Sequence, residues 1–288
     1  MDRKGFPSSI INKQLEYIQK IDKKHLLNYR GLDGSTLLSV AVEHKKGHEI
    51  VNYLCEIGIN PNIKNQNKTT CLHYLCSIKK PNYLIVECLL KHGADPNSFN
   101  EDQQNCLHLL VLNKNFDTKH NHQKKKKKKK KKKKIKKIFS LLFHYNANPN
   151  QFDNYLLTPF HYLCKSSSKF ENENTMKDVI TMFLKNGANP NLRGNTKYSP
   201  LHFLCGVKYS NTEHTKLLLN YGADPNLANE LGWIALHFCA IRDNINLETI
   251  SLLLKKGANP NLKEKNHGNT PLHLVCKRLL DCLKKNLK

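Results

Sequence analysis

Four histidines are each followed three residues later by a cysteine: His73/Cys76, His161/Cys164, His202/Cys205 and His273/Cys276. On a helix that offset puts both side chains on one face, and imidazole with thiolate is the donor set of a zinc site. His120 and His122 add a second, smaller cluster of metal-type donors. Of a different kind is the uninterrupted run from Lys124 to Lys134, which accounts for eleven of the +24 formal charges and could neutralise a polyanion through residues such as Lys124, Lys127, Lys130 and Lys134. The Gly-rich phosphate loop, the Gly-Xaa-Ser-Xaa-Gly elbow and the His-Glu-Xaa-Xaa-His motif are all missing. No nucleophile stands outside the pattern described next, so an enzymatic reading has nothing to rest on.

Those residues must be positioned by a repeat. A Gly-Ala-(Asp or Asn)-Pro-Asn block recurs at Gly58–Asn62, Gly93–Asn97, Asn146–Asn150, Gly187–Asn191, Gly222–Asn226 and Gly257–Asn261. A second block, of the type Thr-Pro-Leu-His, ends at His73, His108, His161, His202, His237 and His273, with Thr36–Ser39 as a weaker first copy. From block start to the next His the distance is 15 residues five times and 16 once, whereas from His to the next block it is 20 three times, then 38 and 26 where insertions fall. One arm is rigid in length; the other absorbs every large insertion, including the lysines.

The chemistry of the blocks explains the arms. Gly93 closes the run Ile85–His92, whose apolar residues have helical spacing, and Pro96 forbids continuation. Thr-Pro starts the other helix, with a capping hydroxyl followed by proline at the first helical position. Each unit therefore reads as helix, loop, helix and a turn-rich arm, and no single unit can bury its own apolar face. Stacked helices lie about 10 Å apart, too far for His and Cys at equivalent positions of neighbouring units to converge on one ion. We expect no metal and no cofactor.

These blocks resemble the ankyrin repeat, a unit of about 33 residues, and the likeness runs from about residue 10 to residue 280. Thr158–His161 and Thr270–His273 are close copies of its first block, while Thr70–His73, Asn105–His108 and Ile234–His237 depart from it in ways that weaken individual caps. The resemblance implies an all-α solenoid of stacked helix-turn-helix units with β-hairpin-like fingers. It also implies that the recurrent His organises hydrogen bonds near the helix start and that the Cys occupies a small buried site. The expected layout is an N-terminal capping half-repeat over 1–30, repeats at 31–65, 66–100, 101–153 (with a Lys-rich insertion, 114–137), 154–194, 195–229 and 230–265, and a partial repeat over 266–288. Within it, Ile10–Ile21 is read as a second helix, Lys24 stands at the missing Gly position, and Leu272–Leu287 supplies a first helix and a poor second one.

As function, the resemblance implies a non-enzymatic scaffold or adaptor that holds a partner protein on its concave face. Eleven residues after each block start, such units place a side chain near the finger: Thr69, Gln104, Leu157, Tyr198 and Trp233 here. The last three belong to consecutive units and have Tyr155 and Leu231 two residues earlier, around the only tryptophan. We therefore expect Tyr155, Leu157, Tyr198, Leu231 and Trp233 to form the protein-binding patch, aromatic anchors being frequent interface hot spots; the alternative is that each stiffens its neighbouring finger. The competing functional reading is a basic protein that contacts nucleic acid or anionic lipid through Lys124–Lys134, a run expected to be mostly a solvated loop. Without the run the charge is still +13, which favours acidic partners. No aromatic is interleaved with the lysines, so base stacking has no support.

No apolar stretch near Met1 suits a signal peptide, and no run approaches the roughly 18 apolar residues of a membrane span. Ten cysteines in a chain of this length are expected as reduced thiols, not as a secreted disulfide framework. An intracellular chain is expected, cytoplasmic or nuclear.

Overall fold

The computed structural model describes residues 15–43, 47–113, 125–166, 173–206, 212–242 and 245–286. They are helical, joined by turns, with no strand among the described residues. Contacts divide the chain into two compact units, the first ending at Asn148 and the second comprising Pro149–Lys288 with 116–121.

In the first unit the helices are α1 (Leu15–Gln19), α2 (Lys23–Asn28), α3 (Leu37–Ala41), α4 (Gly47–Glu56), α5 (Cys71–Ser77), α6 (Tyr83–Lys91), α7 (Cys106–Leu112) and α8 (Lys125–His144). Short first helices pack on one another, α3 on α5 on α7, and longer second helices form a parallel layer, α4 on α6 on α8. The second unit repeats the scheme. Its first helices are α9 (Pro159–Lys165), α11 (Pro200–Gly206), α13 (Ala235–Ala240) and the start of α15 (Pro271–Asn286), and its second helices are α10 (Glu173–Lys185), α12 (Thr212–Asn220) and α14 (Leu247–Lys255). The core lies between the layers: Phe160 of α9 stacks on Phe183 of α10 with ring centroids 5.7 Å apart, and both are fully buried.

Local sequence accounts for the helix ends. Thr70, Asn105 and Thr158 accept from the backbone N–H of the His three residues on, so two departures from the repeat pattern still cap. Ile234 offers no side-chain acceptor. Each second helix stops at a left-handed residue, Gly93 at φ +82° for example, and Asn146 takes that role with φ 58°, a conformation that costs asparagine less than other side chains. Beyond the stop, the third block residue closes an Asx turn: Asp95 Oδ1 accepts from Asn97 N at 2.8 Å, and Asp224 Oδ1 from Asn226 N at 2.8 Å.

Three sequence expectations change. The lysine run is not a loop, because α8 begins at Lys125, thirteen residues before Ile138. Ile135, Ile138, Phe139, Leu142 and Phe143 are buried at helical spacing and nucleate α8, and lysine, a good helix former, propagates it upstream. Repulsion at i,i+4 costs only a few tenths of a kcal/mol per pair. At the N-terminal end, Asp22 caps a fresh helix by accepting from Lys24 N at 3.0 Å, so Lys24 lies inside α2 and not at a stop; residues 10–14 of the expected helix lie outside the described residues. At the other end α15 is one continuous helix, since Cys276–Lys285 contains none of the Pro or Asn breakers that separate α5 from α6 at Lys80-Pro81-Asn82. No helix of the described residues is long and apolar enough to cross a membrane.

Candidate functional site

Within each unit the recurrent histidines are structural links between neighbouring repeats. In α9, His161 Nδ1 accepts from Thr158 N at 3.1 Å, and its Nε2 lies 3.0 Å from Leu192 O and 3.2 Å from Tyr198 O of the next finger. Carbonyls only accept and a backbone N–H only donates, so the ring is neutral with its proton on Nε2. His73 bridges to Ser98 O and Gln104 O, His202 to Trp233 O at 3.0 Å, and His237 to Asn269 O. Burial holds His161 and His202 down at about 4, outweighing their carbonyl contacts, and lowers His73 and His237 in the same direction. The cysteines that accompany them, Cys76, Cys164 and Cys205, are buried free thiols, and Cys276 is exposed.

A second set of links comes from the last residue of each Gly-Ala-Asp-Pro-Asn block. Asn191 Nδ2 donates to Gly222 O at 2.7 Å and its Oδ1 accepts from Asp224 N at 2.8 Å. Asn62, Asn97, Asn150 and Asn226 repeat this pair of bonds to the following helix stop. The fingers are tight turns. Asp153 N donates to Leu157 O at 3.0 Å, Gly194 N to Tyr198 O at 2.9 Å and Asn229 N to Trp233 O at 2.9 Å, while Asp153 and Asn229 accept two backbone N–H groups each.

This scaffold places the expected patch within the second unit. Tyr155 and Leu231 sit at finger tips and are 62% and 45% exposed; Leu157, Tyr198 and Trp233 are half-buried at the finger bases. Adjacent fingers are tied by Glu230 N donating to Thr196 O and Lys265 N to Leu231 O. Gly194 lets two of them approach, since a Cβ there would lie 2.7 Å from Leu157 Cδ2. Tyr198 and Trp233 are brought together through Phe238, whose ring centroid lies 5.4 Å from the first and 5.3 Å from the second. Phe203 joins at 5.4 Å from Tyr198, with Lys165 Nζ 5.9 Å above it.

Phe203 and Phe238 were missed in the sequence. Their signal was available in the register, for each directly follows its recurrent His, as Tyr162 and Tyr74 do. Also missed is Leu156, 55% exposed beside Tyr155 and held at φ +53°, a left-handed position that strains a leucine. Of the alternative set, Lys124 lies outside the described residues, and Lys127, Lys130 and Lys134 are described only as backbone of α8. His120 and His122 also lie outside the described residues.

A family model described as ankyrin repeats (3 copies) matches residues 38–119, 170–264 and 204–285. A search of curated proteins gives no match. Among solved structures, the chain is similar to the ankyrin repeat domain of Bcl-3, described as a unique member of the IkappaB protein family. The TM-score is 0.63 at 23% identity, over 88% of this chain and 99% of that one. It is also similar to an ankyrin repeat domain from Acinetobacter baumannii AYE, with TM-score 0.56 and 21% identity over 74% of this chain and 94% of that one.

Proposed function

The chain belongs to the ankyrin-repeat family, and from that premise we propose that it is a non-enzymatic scaffold which binds a partner protein on the face shared by the fingers and first helices of its second unit. The observation that supports this most is the exposure of Tyr155, Leu156 and Leu231 at the tips of two fingers, together with the Tyr198–Phe238–Trp233 cluster at the bases. Finger tips need polar or small residues to make their turns; exposed tyrosine and leucine at φ-restricted tips do nothing for the turn. Buried against a partner, each would remove apolar area from water at roughly 25 cal/mol per Å², and the aromatic bases present a rigid seat of the kind that hot spots use.

Charge specifies the partner further. Lys165, Arg193, Lys197 and Lys265 lie in and around the same fingers, so the segment recognised combines apolar or aromatic anchors with acidic neighbours, and complementary charge raises the rate of encounter. Arg193 also donates to Ala228 O in the next finger, which holds its charge at the surface of this face.

The test is affinity capture with three baits matched by circular dichroism: the intact chain, a Tyr155→Ser/Leu231→Ser pair and a deletion of Lys125–Lys134. Both substituted side chains are exposed at finger tips, outside the buried core, so the fold is expected to survive. A discrete protein retained by the intact chain and the lysine deletion but lost from the pair supports the reading. Identical retention by intact chain and pair, or loss of a broad acidic set or of nucleic acid from the deletion alone, overturns it.

A further inference from the structure

Cysteine also occurs away from the histidine blocks, in the second-helix layer of the first unit. Cys55 lies three residues before Gly58 and Cys88 five residues before Gly93. Equivalent positions of stacked helices stand too far apart to share an ion, but this two-residue offset turns Cys55 of α4 and Cys88 of α6 toward each other across the seam between the two helices. His92 lies one turn after Cys88, on the same face of α6. One ligand atom from each of Cys55, Cys88 and His92 lies within 4.8 Å of the other two, and this is the one group of three or more metal-type donors among the described residues.

We propose that Cys55, Cys88 and His92 form a site for a soft divalent cation, zinc being the fitting one, held by two thiolates and one imidazole between the second helices of neighbouring repeats. The Cys88 Sγ to His92 Nδ1 distance is 3.8 Å, close to the separation of two donors that bind one tetrahedral ion with bonds of roughly 2.0–2.3 Å. Asn52 supplies the fourth corner, its Oδ1 lying 3.5 Å from Cys88 Sγ on the side facing α4. Its amide nitrogen is already fixed by donation to Glu56 Oε1 at 2.6 Å, which leaves the carbonyl oxygen toward Cys88 Sγ. Both cysteines are buried and His92 is more exposed than either, so an ion enters past the imidazole.

The chemistry balances without a redox partner. Two S–H bonds break, two metal–sulfur bonds, one metal–nitrogen bond and one metal–oxygen bond to Asn52 form as the hydrated ion sheds its water, and two protons pass to buffer. Two thiolates cancel the charge of a dication, so the seam gains an ion without gaining net charge, and Glu56 contributes a carboxylate nearby. As free thiols both groups resist ionisation because burial pushes them up, Cys55 to about 12; a bound cation reverses that preference. The His92 ring now has Nδ1 2.9 Å from Cys88 O. Ligation through Nδ1 gives up that contact and moves the ring proton to Nε2, which reaches solvent.

The probe is Co(II) added to the full chain in reduced, chelator-treated form, followed by displacement with Zn(II). The expected result is one equivalent of Co(II) with thiolate-to-cobalt charge-transfer absorption, abolished in Cys55→Ser and in Cys88→Ser and unaffected in Cys276→Ser, whose thiol is exposed on α15. His92→Gln, near the surface, is expected to retain some charge transfer, shift the ligand-field bands and weaken binding at least tenfold. No charge-transfer band with the intact chain overturns the proposal. So does a band that survives either serine substitution, a band lost in Cys276→Ser, or binding unchanged in His92→Gln. Circular dichroism accompanies each variant, and the glutamine variant decides if a serine variant unfolds.

Discussion

Acidification from pH 7 to pH 5 should destabilise the second unit far more than its carboxylates can explain. His161 and His202 are buried to within 1% of full burial, and each accepts a backbone N–H at Nδ1, the position a second proton would take. Protonation would turn that acceptor into a donor facing another donor, so the folded protein refuses the proton. Asp153 beside His161 opposes the effect weakly and Arg193 beside His202 adds to it, but burial dominates both. The folded value of about 4 lies below the ordinary 6.5 that applies in the unfolded chain. Between these values the unfolded state binds more protons, so stability rises with pH and is lost as pH falls below 6.5, the loss being complete below about 4. At pH 5 the penalty is about 2 kcal/mol for each imidazole and about 4 kcal/mol for the pair.

The assay is urea unfolding at both pH values, followed by fluorescence of Trp233, the single tryptophan, whose carbonyl accepts the His202 bond. Exposed carboxylates remain mostly ionised at pH 5, which keeps their contribution small. His202→Gln lowers stability at pH 7 by losing the inter-repeat bond, yet should reduce the loss between pH 7 and pH 5 by about 2 kcal/mol. A variant with the same pH dependence as the intact chain would show that the histidines do not carry the acid sensitivity, and the argument from Nδ1 would fall with it.

Asn191→Ala removes both bonds to the next helix stop and should cost about 1–3 kcal/mol despite the residue's polar surroundings; a urea midpoint unchanged within error would show that water replaces them without loss. Leu156→Gly relieves the left-handed strain at φ +53° and should stabilise the second unit by about 1 kcal/mol, read by the same fluorescence transition. Lys130→Pro should lower the helical circular dichroism signal by breaking α8 ahead of Ile135 while the urea midpoint stays in place, because the described buried residues of that helix, from Ile135 on, lie beyond the break. A fall in the midpoint would mean that the lysine segment supports the first unit.

Helix pairs and their stops were legible because each is written in a local signal that recurs: a capping residue, an apolar stripe, Gly or Asn at the stop, Pro after it. What could not be read locally is what the same residues do across a repeat boundary. The asparagine that ends each block looks like turn punctuation, yet Asn62 Nδ2 reaches Gly93 O, 31 residues away. The first-helix His looks like a metal donor until both its nitrogens are traced, one to its own cap and one to the next finger. The lysine run was misread because charge repulsion was weighed without the buried residues Ile135–Phe143 that nucleate the helix behind it. On the proposed binding face, position eleven of each repeat was identified, but Phe203 and Phe238 were hidden inside first helices whose other residues are core.

This division between links and tips bears on how the proposed binding face can be altered. Tyr198 and Trp233 are tied to the scaffold twice, their carbonyls closing finger turns and their rings packing on Phe238. Substitution there perturbs the stack as well as any surface contact, so a loss of binding in Trp233→Ala carries two causes. Tyr155 and Leu231 are tied through their backbone alone: their N–H groups donate to Oδ1 of Asp153 and Asn229, and Leu231 O accepts from Lys265 N. Their side chains can be exchanged without touching the His and Asn links, and surface changes of this kind typically move stability by no more than about 0.5 kcal/mol. On the proposed reading, partner preference is therefore set at the tips and affinity is underwritten at the bases. Exchanging Tyr155 and Leu231 for other large side chains should change which protein is retained while the urea midpoint holds; a midpoint that moves with the partner would show that tips and links are one cooperative structure.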